Sequence, residues 1–183
     1  FFVLIAGNNF DWKKRFDCHP ESSVMEFKCI VRGCIWDPCP VNASQNCPSC
    51  IYPDDWGYIL DEKKEMNNGI QYIMKQGIHY FPFGHDISTL ELNVYFETDT
   101  RLHLKFNDPN DNDRFEVPID LPEIPDNKAS NPIYSVMESN NSKGIFGLNV
   151  FQNNEQIFTT GIPGFAYSKQ FHQIMFGFND NNI

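Results

Sequence analysis

The sequence of 183 residues has no apolar run that approaches the roughly 20 residues of a membrane-spanning helix, so we expect no membrane insertion. Basic residues are few, since 14 Lys and Arg stand against 24 Asp and Glu and leave a formal net charge of -10. Nucleic-acid binding depends on clustered Lys and Arg, so no nucleic-acid partner is expected. No convincing helical period is present, which predicts a mainly β protein.

Catalytic and metal-binding groups are also scarce. The sequence contains no Gly-x-Ser-x-Gly motif, and Glu91 and Glu97 share one face of a predicted strand about 20 Å apart, too far for paired acid-base work. The five histidines are too scattered for a metal pair: His19, His79, His85, His103 and His172. The sequence therefore predicts no enzyme activity, no metal site and no cofactor within this chain.

Cysteine is absent after Cys50, because all six cysteines lie between Arg15 and Tyr58. They are Cys18, Cys29, Cys34, Cys39, Cys47 and Cys50. So short a segment, with five prolines, cannot bury enough apolar surface to fold without covalent links. Disulfides are therefore the leading interpretation, and they indicate an oxidising compartment and a secreted, extracellular protein.

The alternative for Cys47-Pro-Ser-Cys50 is a zinc or redox motif. Zinc requires a second ligand pair, and the gap between Cys34 and Cys39 does not provide one. A thioredoxin-like site requires a helix opening inside a βαβ unit, whereas Ile51-Tyr-Pro-Asp-Asp follows here. Structural disulfides are favoured over both.

After Tyr58 the sequence alternates between apolar and polar residues, as in strands with one buried face. The alternation is clearest at 90–97 and 101–106, and a polar turn at 107–113 joins the latter to a predicted strand at 115–119. His103 lies on the polar side and is predicted to face solvent. Further strands are predicted at 70–74, 133–137, 145–151, 156–160 and 171–178. This pattern predicts an antiparallel β-sandwich.

Two connecting segments differ from the predicted strands in composition, one rich in proline and one acidic. The Pro-rich stretch 118–132 is predicted to be an irregular surface crossing. In the acidic turn, Asp108, Asn110 and Asn112 match the first ligands of a calcium-binding EF-hand loop, but Asp113 replaces the required Gly and Ile119 the required Glu. A solvated turn is therefore favoured over a calcium site.

Three motifs in the cysteine segment point to a known module: Arg15-Phe-Asp-Cys18, Ile30-Val-Arg-Gly-Cys34-Ile35-Trp36 and Cys50-Ile-Tyr-Pro53. Their order resembles the trefoil (P-type) domain. Both cysteines of one family bridge are missing, because Ile35 stands at one position and no cysteine lies near Asn8. The resemblance, with an extra pair in an enlarged loop, implies three bridges among the fifteen connectivities that six cysteines allow: Cys18–Cys34, Cys29–Cys50 and Cys39–Cys47.

A second resemblance covers nearly the whole chain. The trefoil-like segment is followed by Leu102-His-Leu-Lys-Phe-Asn-Asp-Pro-Asn-Asp-Asn-Asp-Arg-Phe-Glu-Val-Pro118 and by Gly144-Ile-Phe-Gly-Leu148. This order resembles the N-terminal part of glycoside hydrolase family 31, of the maltase-glucoamylase and sucrase-isomaltase type. The resemblance implies a trefoil domain at 10–58 and a β-sandwich at 59–183. The family's catalytic barrel needs about 250 residues, and its Trp-x-Asp-Met-Asn-Glu motif is absent, so no catalytic residue can be assigned.

The trefoil resemblance also suggests a ligand. Trefoil modules bind mucin-type glycans, which implies Trp36 for stacking on a sugar face and Asp17 for hydrogen bonding. The alternative, which we favour, is that Trp36 caps the small core beside Cys34, since tryptophan is highly buried on average. Two glycosylation motifs agree with an extracellular protein: Asn42-Ala-Ser44 and Asn140-Asn-Ser142.

Two functions remain open from the sequence. One is a secreted, non-catalytic protein that binds glycans, mucus or microbial surfaces, with a host-defence role and homodimerisation through a bare sheet edge. The other is the N-terminal fragment of a working α-glucosidase. The apolar residues 1–7 fit an ordered strand or the end of a signal peptide, and the Asn-rich residues 179–183 fit a solvated tail, which favours the first function.

Overall fold

The computed structural model of the chain describes residues 15–41, 43, 47–111, 118–160, 165–169, 171–174 and 176–178. It confirms a mainly β protein, with 46% of the described residues in strands and 4% in helix. The chain forms two compact units, Phe1–Pro53 and Asp54–Ile183. The domain bounds predicted from the sequence, 10–58 and 59–183, stay a prediction.

The first unit contains the helix α1 (Glu26–Val31) and a small antiparallel sheet of β1 (Ile35–Trp36) and β2 (Cys50–Ile51). The sequence does not predict α1, because six residues are too few to show a helical period. Gly33 ends the helix with a φ of 78°, a left-handed conformation that favours glycine, and its N–H donates to the Ile30 carbonyl over 2.9 Å.

Disulfides form the core of the first unit. The bridges are Cys18–Cys34, Cys29–Cys50 and Cys39–Cys47, which are the same pairs that the trefoil resemblance implies, and no cysteine is free. Cys18, Cys29 and Cys50 are completely buried. In a unit with so little apolar surface, these bridges take the place of a larger hydrophobic core.

The first sheet of the second unit is an antiparallel meander with the strand order β3-β4-β5-β6. Its strands are β3 (Tyr58–Met66), β4 (Gly69–Gln76), β5 (Thr89–Thr98) and β6 (Arg101–Asn107). The sequence analysis did not predict β3, because Asp61-Glu-Lys-Lys-Glu65 has a low strand propensity. Pairing with β4 along nearly its whole length holds this charged segment extended.

The second sheet has the order β12-β9-β8-β7, and a separate two-stranded ribbon pairs β10 with β11. The strands are β7 (Tyr134–Asn140), β8 (Phe146–Gln152), β9 (Glu155–Thr159), β10 (Phe165–Tyr167), β11 (His172–Ile174) and β12 (Gly177–Phe178). The single strand predicted at 171–178 is wrong, because β11 pairs with β10 and β12 pairs with β9. The strand predicted at 115–119 falls largely outside the described residues.

The two sheets bury a common apolar core, as the sandwich prediction requires. Tyr72, Leu92 and Val94 of the first sheet are completely buried, and Phe146 and Leu148 of the second are 1% exposed. The Tyr72 and Phe146 ring centroids lie 5.4 Å apart. The alternation read from residues 90–97 therefore marks the inner face of β5 correctly.

The outer face of β5 differs from the prediction of a solvated surface. Asn93 is only 5% exposed and Glu97 only 8%. His103 is half-buried instead of solvent-facing, since its Nδ1 lies 2.9 Å from the Glu97 carboxylate and its ring 5.7 Å from the Tyr95 ring. Lateral contacts between neighbouring strands cover these polar side chains, which a single strand's alternation does not predict.

Candidate functional site

The candidate ligand residues Trp36 and Asp17 both lie in the first unit and are half-buried. Asp17 pairs with Ile51, which pairs on its other side with Ile35, whereas Trp36 pairs with Cys50. Directly paired residues share a face of a sheet and successive residues alternate. The register therefore does not place the Trp36 ring and the Asp17 carboxylate on a common face.

Asp17 is partly committed to the fold of its own segment. Its Oδ1 accepts a hydrogen bond of 2.9 Å from the backbone N–H of His19. Burial raises the pKa of the Asp17 carboxyl group, against the lowering effect of that N–H and of nearby positive charge.

A buried arginine shapes the loop beside Trp36. The Arg15 side chain is 3% exposed; its Nη2 lies 2.5 Å from Asp37 Oδ2 and its Nη1 3.2 Å from the Pro48 carbonyl oxygen. The Arg15 guanidinium therefore links Asp37, which follows Trp36, to Pro48, which precedes Cys50. Sequence analysis missed the pair, since the two residues are 22 positions apart and no local pattern connects them.

A second ion pair fixes the start of the cysteine segment to the end of α1. The Arg32 guanidinium donates two hydrogen bonds to the Glu21 carboxylate, over 2.8 and 2.7 Å, and another to the Cys18 carbonyl over 3.1 Å. The two hydrogen bonds from Arg32 lower the pKa of Glu21 to about 2, and the same contact raises the pKa of Arg32. Because both carboxylate oxygens of Glu21 accept hydrogen bonds from Arg32, we interpret this ion pair as a structural contact.

The outer face of the first sheet carries a polar network that links three strands. Asn93 Nδ2 donates to Glu91 Oε1 over 2.6 Å, Gln71 Nε2 donates to Glu91 Oε2 over 3.0 Å, and Asn107 Nδ2 donates to Glu91 Oε1 over 3.2 Å. Glu91 is thus surrounded by amides and held in one position. Among the residues that the structure describes, no second carboxylate shares this network, whereas the acid-base pair of a glycosidase needs two.

The remaining candidate residues belong to the glycosylation motifs and to the acidic turn. Asn140 is exposed at the last position of β7, and Ser142 of the same motif is also exposed, while Asn42 lies outside the described residues. Asp108 Oδ1 accepts from the Asn110 N–H over 2.9 Å, which is the geometry of a polar turn. Asn112 and Asp113, the next residues of the calcium hypothesis, lie outside the described residues.

In the described part of the chain, one residue cluster bears on metal binding and the helix length bears on membrane insertion. The only three potential metal ligands found together there are Cys18, Cys34 and Cys50, and all three are in disulfides. None of the helices described is long and apolar enough to cross a membrane.

Comparison with known proteins gives the class of both units. Residues 8–53 match the trefoil (P-type) domain family model. The chain is 32% identical over 167 residues to lysosomal alpha-glucosidase of Rattus norvegicus, which covers 87% of this chain and 17% of that protein. It is 30% identical over 165 residues to intestinal sucrase-isomaltase of Suncus murinus, which covers 88% of this chain and 9% of that protein. A probable maltase-glucoamylase 2 of Homo sapiens is 27% identical and covers 93% of this chain.

The first unit is therefore a trefoil (P-type) domain, and the second unit, which follows it, is a β-sandwich. Together they match the trefoil and sandwich region that lies toward the N terminus of glycoside hydrolase family 31 enzymes. The chain spans less than a fifth of the length of these relatives, at 17% or below. Its three disulfides and the nature of its relatives indicate an extracellular or lumenal compartment.

Proposed function

We propose that residues 1–183 are the non-catalytic N-terminal region of a secreted or lumenal family 31 α-glucosidase, whose hydrolysis of α-glucosidic bonds is performed by a barrel outside these residues. The similarity to lysosomal alpha-glucosidase over 87% of the chain carries this proposal. The network around Glu91 agrees with it, because the Glu91 carboxylate is held by the amides of Gln71 and Asn93.

The intact mass of the protein purified from its source tests this proposal. A product several times larger than 21.2 kDa, with α-glucosidase activity that the isolated 1–183 chain lacks, is the expected result. A product near 21.2 kDa plus glycans would overturn the proposal and support a stand-alone protein. Hydrolysis of maltose by the isolated chain would contradict the non-catalytic assignment.

Glycan binding by the trefoil domain is a second proposal. It is supported by the half-buried Trp36 ring at the end of β1, next to Asp37, which Arg15 links to Pro48. A glycan array with mucin-type glycans tests it: Trp36→Ala should abolish binding, while Ile35→Ala, which changes the adjacent residue on the opposite face, should not. Binding that survives Trp36→Ala would refute the stacking role.

Homodimerisation and a host-defence role stay predictions. At the β3 edge, the exposed residues Glu62, Lys63, Lys64 and Glu65 are of the kind that oppose edge-to-edge pairing, so we expect no dimer there. Light scattering on the purified chain measures its oligomeric state, and growth-inhibition assays on bacteria test the defence role.

A further inference from the structure

Two loops of the second unit line a cavity that neither proposal above uses. The cavity has a volume of about 490 Å³ and is lined by Phe83, Gly84, His85, Ser168, Lys169 and Phe171. This volume is in the range of sites for small ligands, which run from about 300 to 1,000 Å³. It is thus large enough to hold a single sugar ring.

One side of the cavity is aromatic. The Phe83 and Phe171 ring centroids lie 4.0 Å apart with 38° between the ring planes, and both side chains are half-buried. The two rings therefore form one apolar wall that stays partly accessible. The electron-rich face of such a ring attracts the C–H groups of a pyranose, as it attracts the positive edge of another ring.

The other side of the cavity is basic. Lys169 and His85 are both exposed there, and the Lys169 N–H donates to the His85 carbonyl over 3.1 Å, which joins the two loops. Within the described residues, no acidic side chain lines this cavity, although the whole chain carries a formal net charge of -10. The carboxylate of Asp86, a residue that pairs with Ser168, accepts hydrogen bonds from Gln76 Nε2 and from the Phe81 N–H instead. The Lys169 ammonium group therefore favours an anionic ligand at this cavity.

The backbone at His85 is held in an unusual conformation. His85 has a φ of 54° and follows Gly84, which has a φ of 70°. A non-glycine residue in the left-handed region is uncommon, and such conformations concentrate where a loop must present a side chain to a ligand.

We propose that this cavity binds an anionic pyranose, with the sugar face against Phe83 and Phe171 and the acid group beside Lys169 and His85. A uronic acid is the simplest ligand of this class, since it combines one apolar ring face with one carboxylate. The inference concerns residues that the trefoil proposal does not involve, so loss of glycan binding through Trp36 leaves it unaffected.

A titration of the ¹⁵N-labelled 1–183 chain by nuclear magnetic resonance tests the inference. The three probes are methyl glucuronide, methyl glucoside and inorganic sulfate, which supply ring and charge, ring alone and charge alone. We expect saturable shifts at the amides of His85, Lys169 and Phe171 with the glucuronide, and at least about tenfold weaker binding of the other two, the size expected for losing a hydrogen bond to a charged group.

Lys169→Gln should weaken glucuronide binding about tenfold by removing the cationic partner. Lys143→Gln is the matched control, because Lys143 is also exposed in the second unit but does not line the cavity. An absence of saturable shifts with glucuronide, equal binding of sulfate or glucoside, or an equal effect of both substitutions would each overturn the proposal.

Discussion

At the scale of single residues, Glu21 shows the effect of a paired guanidinium most directly. Its folded-state pKa of about 2 lies below its ordinary value of 4.5, so its contribution to stability is present above pH 4.5 and is lost as the pH falls through 2. The side chain is 49% exposed, and solvent screening therefore limits this contribution to about 1 kcal/mol or less.

Glu21→Gln should accordingly lower the free energy of unfolding of the trefoil domain at pH 7. It should also remove the decrease in that free energy that the protonation of Glu21 causes between pH 4.5 and 2. Urea unfolding at several pH values measures both effects. Glu123→Gln is the control, because Glu123 is exposed in the connector of the second unit. An unchanged pH profile for Glu21→Gln would show that the Arg32 pair contributes nothing to stability.

The exposed Asn140 supports a prediction about glycosylation. Expression of the chain through a secretory pathway should add a glycan at Asn140, because both Asn140 and Ser142 are accessible in the β7–β8 hairpin. Treatment with an N-glycosidase should lower the mass. Ser142→Ala should reduce this shift by the mass of one glycan and Ser142→Thr should leave it unchanged, whereas an equal shift in Ser142→Ala and the unaltered chain would contradict glycosylation at Asn140.

At the scale of elements, one buried hydroxyl connects the two sheets of the sandwich. The Tyr72 hydroxyl on β4 donates to Glu138 Oε2 on β7 over 3.3 Å, and Lys63 of β3 lies 3.2 Å from the same carboxylate. The Glu138 carboxylate accepts from its own backbone N–H as well, which with Lys63 lowers its pKa, while burial raises the pKa of Tyr72. The contact thus favours an ionised Glu138 and a neutral Tyr72.

Tyr72→Phe should destabilise the second unit by about 1 kcal/mol, because it removes the hydrogen bond and leaves the ring packing unchanged. Urea unfolding followed by circular dichroism measures the change. Tyr80→Phe is the matched control, since Tyr80 is 80% exposed and should have no effect. Equal stabilities of Tyr72→Phe and the unaltered chain would contradict a role for this contact.

At the scale of the whole molecule, cysteine usage separates the two units. All disulfides lie before Ile51, so reduction should unfold the trefoil domain and leave the β-sandwich folded. In the chain-entropy model, opening the Cys29–Cys50 loop costs about 3.5 kcal/mol, which is comparable with the stability of so small a domain.

Hydrogen exchange with mass spectrometry, before and after reduction, tests this prediction. Peptides of residues 15–53 should lose protection and peptides of β3 to β9 should keep it. Simultaneous loss in both units would contradict independent stability of the sandwich. Non-reducing peptide mapping of the same sample checks the bridges, and a peptide with Cys47 linked to Cys50 would contradict the pairing of Cys39 with Cys47.

Local patterns in the sequence were sufficient for the strands whose two faces differ in polarity. Alternation predicted β5 and β6 because one face of each packs on the other sheet, and the cysteine motifs predicted the trefoil domain. The helix α1 and the strand β3 were missed. The helix α1 is too short to show a helical period. The strand β3 is charged, and its pairing with β4 holds it extended.

The sequence by itself determined the class of each unit, because alternation and cysteine order are properties of neighbouring residues along the chain. Only the tertiary structure decided which side chains meet. The Arg15–Asp37 pair joins residues 22 positions apart, and the cavity beside Phe83 and Phe171 brings together loops more than 80 positions apart. Contacts at such separations depend on strand register and loop closure, which no local pattern of residues specifies.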